Sequence, residues 1–156
     1  MFQQTKAWQS YRQVATQTAS PGQLVLQLYT GILRFLEQAR LGFGMDDPKE
    51  SMEAINNNLL RAQAIIQEMD QSLNLQEGGE FASRMRGLYN YFDRRLHESN
   101  MTKTDPGILE VIKHVTVLRD AWAEMLQKTG SPGDPAAPAD PRAASPGLDT
   151  GGRLSP

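Results

Sequence analysis

A repeating pattern of apolar residues between positions 52 and 73 constrains the fold of this chain more than any other feature. Its apolar positions alternate spacings of three and four, which places them on one face of an α-helix. An unbroken pattern of this kind is a heptad repeat and suits packing against other helices at about 20°. We therefore predict a long amphipathic helix from about residue 48 to 73. The repeat comprises Met52, Ile55, Leu59, Ala62, Ile66, Met69 and Leu73.

Three helix starts share one local signal, a capping side chain followed directly by proline. The pairs are Ser20-Pro21, Asp47-Pro48 and Asp105-Pro106. Proline suits the first helical position, because its missing N–H has no intrahelical partner there, and a serine or aspartate oxygen can accept from the first turn. Gln23 and Glu50 follow their caps by three residues, as in a capping box. These signals predict helices that start near residues 21, 48 and 106.

Two further stripes, each a set of apolar residues on one face of a helix, bring the predicted number of helices to four. The helices are predicted at about residues 21–43, 48–73, 80–100 and 106–128. Gly78-Gly79 interrupts the chain before the third helix. Short connections between long helices favour antiparallel neighbours, so the predicted fold is all-α, an antiparallel up-down four-helix bundle. The stripe of the third helix comprises Phe81, Met85, Leu88, Phe92 and Leu96. The stripe of the fourth helix comprises Ile108, Ile112, Val115, Leu118, Trp122 and Met125.

The two ends of the chain differ from the predicted bundle, residues 18–128. Residues 1–17 form an N-terminal apolar arm that carries Trp8, Tyr11 and Val14, and permanent packing against the bundle and a detachable arm stay equally open. Residues 129–156 hold six of the nine prolines and five glycines. Such a segment cannot bury enough apolar area to offset its ordering entropy. We predict a disordered C-terminal tail.

Charge and composition exclude several classes of function. The chain has 16 basic and 18 acidic residues, a net charge of −2, and no dense basic run, so we expect no nucleic acid partner. Its longest apolar runs are far shorter than the roughly 20 residues that span a bilayer, and no secretory signal precedes them. We expect a cytoplasmic protein without membrane insertion. With no cysteine, it has no disulfide or thiolate metal site.

The two histidines do not complete a catalytic or metal-binding pattern. A di-metal carboxylate bundle requires glutamate three residues before histidine, but Arg94 precedes His97 and Val111 precedes His114 at that spacing. Glu110 and His114 lie one turn apart, which fits a surface pair. We predict no cofactor, no metal and no enzymatic activity, and keep an enzyme with a metal centre only as a remote alternative.

Polar and aromatic side chains beside the heptad repeat are suited to holding another polypeptide. Asn56, with its neighbouring asparagines, Arg61 and Gln63 could bond a guest backbone. Tyr89 and Tyr91 on the third helix are of the type enriched at binding hot spots. A solvated helix face and a completed core, respectively, would explain the same residues.

Six segments, in order along the chain, form a pattern that is stronger than any one of them. They are Ser20–Ala39 with Leu28-Tyr29-x-Gly31, Asn58-Leu59-Leu60-Arg61-Ala62-Gln63, Gly78-Gly79-Glu80, Leu88-Tyr89-x-Tyr91-x-x-Arg94-Arg95-Leu96, Asn100, and Leu118-Arg119-Asp120-Ala121-Trp122. From about Tyr11 to Leu126 the chain resembles the flagellar export chaperone family FliS. Thr30 and Ser99 depart mildly from the family pattern, and the tail lies outside it.

The resemblance implies a chaperone that binds the disordered C-terminal segment of flagellin, prevents premature polymerisation and delivers it to the flagellar export apparatus. Trp8, Tyr11 and Val14 would then act as a mobile arm over the binding groove. A regulatory or scaffolding bundle that binds folded proteins is the alternative, and a homodimer is left open. The predicted flagellin-binding residues are Ile55, Asn56, Leu59, Ala62, Gln63, Ile66 and Tyr89.

Overall fold

The computed structural model describes residues 20–129, and the predictions for the arm and the tail fall outside that range, apart from Thr129. The described part folds into four α-helices and contains no strand. They are α1 (Pro21–Gly42), α2 (Pro48–Gln71), α3 (Leu75–Thr102) and α4 (Pro106–Lys128). The predicted all-α, four-helix fold is confirmed.

The helices form a closed ring in which neighbours run antiparallel. Each helix packs against the next one in the chain, and α4 packs against α1. Near the end of α3, Asn100 donates to the side chain of Asn56 near the start of α2, at 2.9 Å. Near the end of α4, the indole N–H of Trp122 donates to the carbonyl oxygen of Gly22 at the start of α1, at 2.7 Å. The up-down order expected for short connections is therefore present.

Two of the three predicted capping side chains cap their helices. The Ser20 hydroxyl accepts from the Gln23 N–H at 3.2 Å, and the Asp47 carboxylate accepts from the Glu50 N–H at 3.0 Å. The prediction for Asp105 is wrong, because its side chain makes no capping bond. Its backbone is helical (φ −103°, ψ −3°), whereas the two working caps are extended, so its carboxylate is not directed back over the first turn.

Helix α3 begins one turn before the predicted start near residue 80. Asn74 caps this extra turn by accepting from the Glu77 N–H at 3.0 Å. Gly79 then departs from helical geometry (φ 58°, ψ −136°), and the helix resumes after it. Only glycine adopts this backbone conformation at low cost. The glycine pair therefore kinks the helix instead of separating it from the loop.

The core contains most of the predicted apolar residues, with two exceptions at the ends of the stripes. Met52 and Met125, the first and last residues of their stripes, are exposed. Val111 and Leu126 are buried on α4 instead. A helix of 3.6 residues per turn drifts by about 20° per heptad relative to a strict seven-residue repeat, so the buried face of α4 follows different positions from those the spacing selects.

Candidate functional site

Six of the seven predicted flagellin-binding residues lie inside the bundle. Five of them lie on α2, which packs against both α1 and α3, and Tyr89 lies on α3. A guest could touch these side chains only if the helices separated, and binding through them stays a prediction. The six are Ile55, Leu59, Ala62, Gln63, Ile66 and Tyr89, and none is more than 7% exposed.

Polar members of the predicted set bond within the bundle. The buried amide of Gln63 donates to the carbonyl oxygen and the carboxylate of Asp93 on α3, at 3.3 and 3.0 Å. Asn56, the one half-buried member, accepts from Asn100, whose own side-chain and main-chain oxygens both accept from Lys103 at 2.6 Å. These bonds fix the register of α2 against α3.

Tyr89, the predicted flagellin-binding residue on α3, contacts α1 across the core. Its hydroxyl lies 2.8 Å from the hydroxyl of Tyr29, and both rings are buried. Buried tyrosine hydroxyls require such partners, because an unmet hydrogen bond is costly away from water. Tyr89 therefore stabilises the bundle in the described conformation. Trp8, Tyr11 and Val14 of the predicted mobile arm lie outside the described residues.

A polar network joins α3 to the start of α4. Both Tyr91, through its hydroxyl, and Arg95, through its guanidinium, donate to the carboxylate of Glu110 at 2.6 Å. These hydrogen bonds, first that from Tyr91 and then that from Arg95, lower the pKa of Glu110. In turn, the bond to Glu110 raises the pKa of the Tyr91 hydroxyl. The network holds the two helices together through an ionised carboxylate.

The predicted surface pair of Glu110 and His114 is present, with 3.9 Å between the imidazole and the carboxylate. The His114 ring also stacks on Phe92, with 6.0 Å between centroids. Within residues 20–129, no three histidine, cysteine, aspartate or glutamate side chains are grouped so as to hold a metal ion. The described helices likewise include none with the length and apolar character of a membrane span.

Beyond this network, the facing edges of α3 and α4 become apolar. Leu88 lies one helical turn before Tyr91 on the same side of α3. Leu118 lies one helical turn after His114 on the same side of α4. Phe81 and Met125 lie two further turns along the same edges. We call these four residues the α3–α4 strip. Three of them are half-buried against the core, and Met125 is exposed, so the strip is accessible without opening the bundle.

The sequence places all four strip residues on apolar stripes of their helices. The spacing of three and four identifies an apolar face, but it does not separate the centre of that face from its edges. Only the packing of α3 against α4 shows which residues lie at an edge. No signal in the sequence alone distinguishes them.

Comparison with known proteins identifies the family. The profile of the family described as "Flagellar protein FliS" matches residues 4–129. The chain belongs to the FliS family. Residues 130–156 lie beyond the match, and the resemblance seen in the sequence is confirmed.

Relatives from several bacteria carry the name flagellar secretion chaperone FliS. The Bacillus subtilis protein is 42% identical over 119 residues, which cover 76% of this chain and 84% of the relative. The Campylobacter jejuni protein is 31% identical over 80% of this chain and 94% of its own length. The Salmonella typhimurium protein is 30% identical over 73% and 82%, respectively. A chaperone family of this kind is not an enzyme class.

Proposed function

We propose that this protein is a cytoplasmic, non-catalytic flagellar export chaperone that binds the disordered C-terminal segment of flagellin. Binding would prevent premature polymerisation and allow delivery to the export apparatus. The observation that carries the proposal is the match to the FliS family over residues 4–129, together with relatives named flagellar secretion chaperones.

The α3–α4 strip is the surface that we propose for first contact with the guest. Phe81 and Leu88 are seven residues apart on α3, and Leu118 and Met125 are seven apart on α4. A guest helix with apolar residues at spacings of three, four and seven could lie along this pair of edges. The predicted set on α2 would join only if the helices moved apart.

Coupled folding of the guest sets the expected affinity. Ordering a disordered segment costs about 2–5 kcal/mol or more of the gross interaction energy, so a few apolar anchors should carry most of the binding. Such binding remains reversible, and a delivery chaperone requires release of its cargo.

The test is calorimetric titration of the full chain with a synthetic C-terminal segment of flagellin from the same organism, with helicity followed by circular dichroism. We expect saturable one-to-one binding, a gain of helix and a negative heat-capacity change. No binding at high micromolar concentration, repeated without residues 1–17, would reject the flagellin proposal.

A matched pair of variants locates the surface. Leu88→Gln with Leu118→Gln should weaken binding about tenfold or more, because the anchors become polar while helix propensity is retained. Val117→Gln, next to the strip on the exposed face of α4, is the control and should bind as the wild type does. Equal affinity of all variants would move the site away from the strip.

A separate proposal concerns the N-terminal arm, residues 1–17, as a mobile cover of the guest surface. If Trp8, Tyr11 and Val14 cover the guest surface in the free protein, deletion of residues 1–17 should leave the fold intact and raise guest affinity, because an intramolecular competitor is removed. Weaker binding or an unfolded product would instead show that the arm belongs to the site or to the core.

A further inference from the structure

Two neighbouring arginines on α3 differ in their partners. The guanidinium of Arg95 donates to the carboxylates of Glu98 and Glu110, at 2.7 and 2.6 Å, so its charge is compensated within the protein. Arg94 is exposed, and among the described residues it forms no ion pair. The positive charge of Arg94 is therefore available to a binding partner.

An aromatic ring holds the Arg94 guanidinium in place. Its Cζ atom lies 5.4 Å from the centroid of the Tyr91 ring, within the range of a cation–π contact. The ring is fixed in turn, because the Tyr91 hydroxyl donates to Glu110 on α4 at 2.6 Å. A guanidinium that rests on a ring still presents N–H groups at its edge, in the fork that matches a carboxylate. Arg94 is therefore preorganised to bind a carboxylate, which reduces the entropy lost on binding.

The position of Arg94 relates it to the α3–α4 strip. The hydrogen bond from Tyr91 to Glu110 joins α3 to α4 one turn after Leu88, and so marks one end of the strip. Arg94 follows Leu88 by six residues, which is about 9 Å along the helix axis. A guest helix that packs apolar residues on Leu88 and Leu118 would therefore bring a residue one to two turns further along to Arg94.

The arm, residues 1–17, offers Arg94 no carboxylate. It contains Lys6 and Arg12 but neither aspartate nor glutamate. If the arm covers the strip in the free protein, a guest with a carboxylate at this position gains an ion pair that the arm cannot form. That difference favours exchange of the arm for the guest, because a ligand shifts an equilibrium only by its differential affinity.

We propose that Arg94 is a specificity-determining residue for the guest. It pairs with an aspartate or glutamate side chain of the bound segment, one to two turns from the guest residue that packs on Leu88. The inference rests on the proposed function, and it adds the charged group that the guest must carry beside its apolar anchors. An amphipathic segment with an acid at this spacing is selected over one that has apolar anchors alone.

The test is calorimetric titration of the full chain and its variants with the synthetic C-terminal flagellin segment, at low and high salt. Arg94→Gln should weaken binding about fivefold, the upper range for one exposed ion pair, and the loss should shrink when salt screens the pair. Arg94→Lys keeps the charge but loses the planar fork, so its affinity should fall between Arg94→Gln and the wild type. Arg34→Gln is the control and should stay within about twofold of the wild type. It removes an exposed arginine of α1 that likewise forms no ion pair within residues 20–129.

Complementary substitutions in the guest identify the partner of Arg94. Each aspartate or glutamate of the flagellin segment is replaced in turn by its amide. One replacement should weaken binding to the wild type about fivefold and leave binding to Arg94→Gln unchanged. Lysine at that guest position should restore affinity when it is combined with Arg94→Glu. Additive losses at every guest acid would show that none of them interacts with Arg94, and would overturn the proposal.

The outcomes separate this inference from the proposed function. Failure of the wild type to bind the segment rejects both. Binding of the wild type with equal affinity of Arg94→Gln keeps the flagellin proposal and overturns the role of Arg94. The factor lost in Arg94→Gln should be the same after deletion of residues 1–17, because the arm has no carboxylate to lose. A loss that vanishes with the deletion would instead assign Arg94 to a contact with the arm.

Discussion

Replacing Gly107 by alanine tests a close approach between α4 and α3. Gly107 is the second residue of α4, and a Cβ atom there would lie 2.6 Å from the Arg95 carbonyl oxygen and 2.6 Å from the Ser99 hydroxyl. Both distances are 0.8 Å below the 3.4 Å at which ordinary contact begins. The Arg95 carbonyl belongs to the α3 backbone and cannot rotate away. Alanine must therefore move the start of α4 away from α3.

The change in the free energy of unfolding caused by Gly107→Ala is the sum of two opposing contributions. Overpacking of a tight site destabilises by about 1–3 kcal/mol. Alanine in place of glycine in a helix returns about 0.5–1 kcal/mol. We expect a net loss of about 1–2 kcal/mol in the free energy of unfolding, which lowers the urea midpoint by about 0.5–1 M for an m-value near 2 kcal/mol/M.

Gly87→Ala is the matched control for this substitution. Gly87 lies in the exposed part of α3, and its added Cβ would meet no atom within 4 Å. Alanine should therefore raise stability by about 0.5–1 kcal/mol through helix propensity alone. Urea unfolding followed by circular dichroism measures both variants. If Gly107→Ala were as stable as the wild type while Gly87→Ala gained stability, the close approach of α4 to α3 would not govern packing there.

Three other substitutions test the remaining physical arguments. Since hydrogen bonds from Tyr91 and then Arg95 lower the pKa of Glu110 from its ordinary 4.5, the ionised carboxylate stabilises the fold above that pH and the gain is lost on acidification. Glu110→Gln should thus destabilise near neutral pH, and this destabilisation should shrink as the pH is lowered below 4.5, which urea unfolding over a series of pH values measures. Gly79→Ala should lower the melting temperature through about 1–3 kcal/mol of backbone strain at φ 58°, and an unchanged value would refute the kink. Gln63→Ala should cost about 1–2 kcal/mol by urea unfolding, because its buried bonds to α3 are lost, and a neutral result would contradict their role in register.

The number of helices and most of their boundaries were predictable, because helix starts depend on local chemistry. Ser20 and Asp47 cap their helices through bonds within one turn, and the sequence contains everything those bonds require. Helix α4 begins and ends at the predicted residues, 106 and 128. The antiparallel order followed from the short connections.

The failures occur where tertiary contact overrides the local signal. Asp105 follows Lys103, which holds a left-handed backbone at φ 50° in the tight connection between α3 and α4. That connection brings Gly107 against α3, and the resulting helical backbone at Asp105 removes its cap. A pattern of capping residues cannot show this, because the determining contact lies on another helix.

The binding surface is harder to predict than the fold, because burial inside a bundle and burial against a guest favour the same apolar side chains. Leu59 and Leu88 both lie on apolar stripes, yet α1 and α3 bury Leu59 completely, whereas Leu88 lies at the edge of α3. The difference depends on the neighbouring helices. Leu59→Ala should therefore lose about 2–5 kcal/mol of stability and any binding that requires the fold, whereas Leu88→Gln should lose guest affinity with a smaller stability cost. Urea unfolding and guest titration on the same two variants separate a core residue from a binding residue, and equal stability losses would refute the distinction.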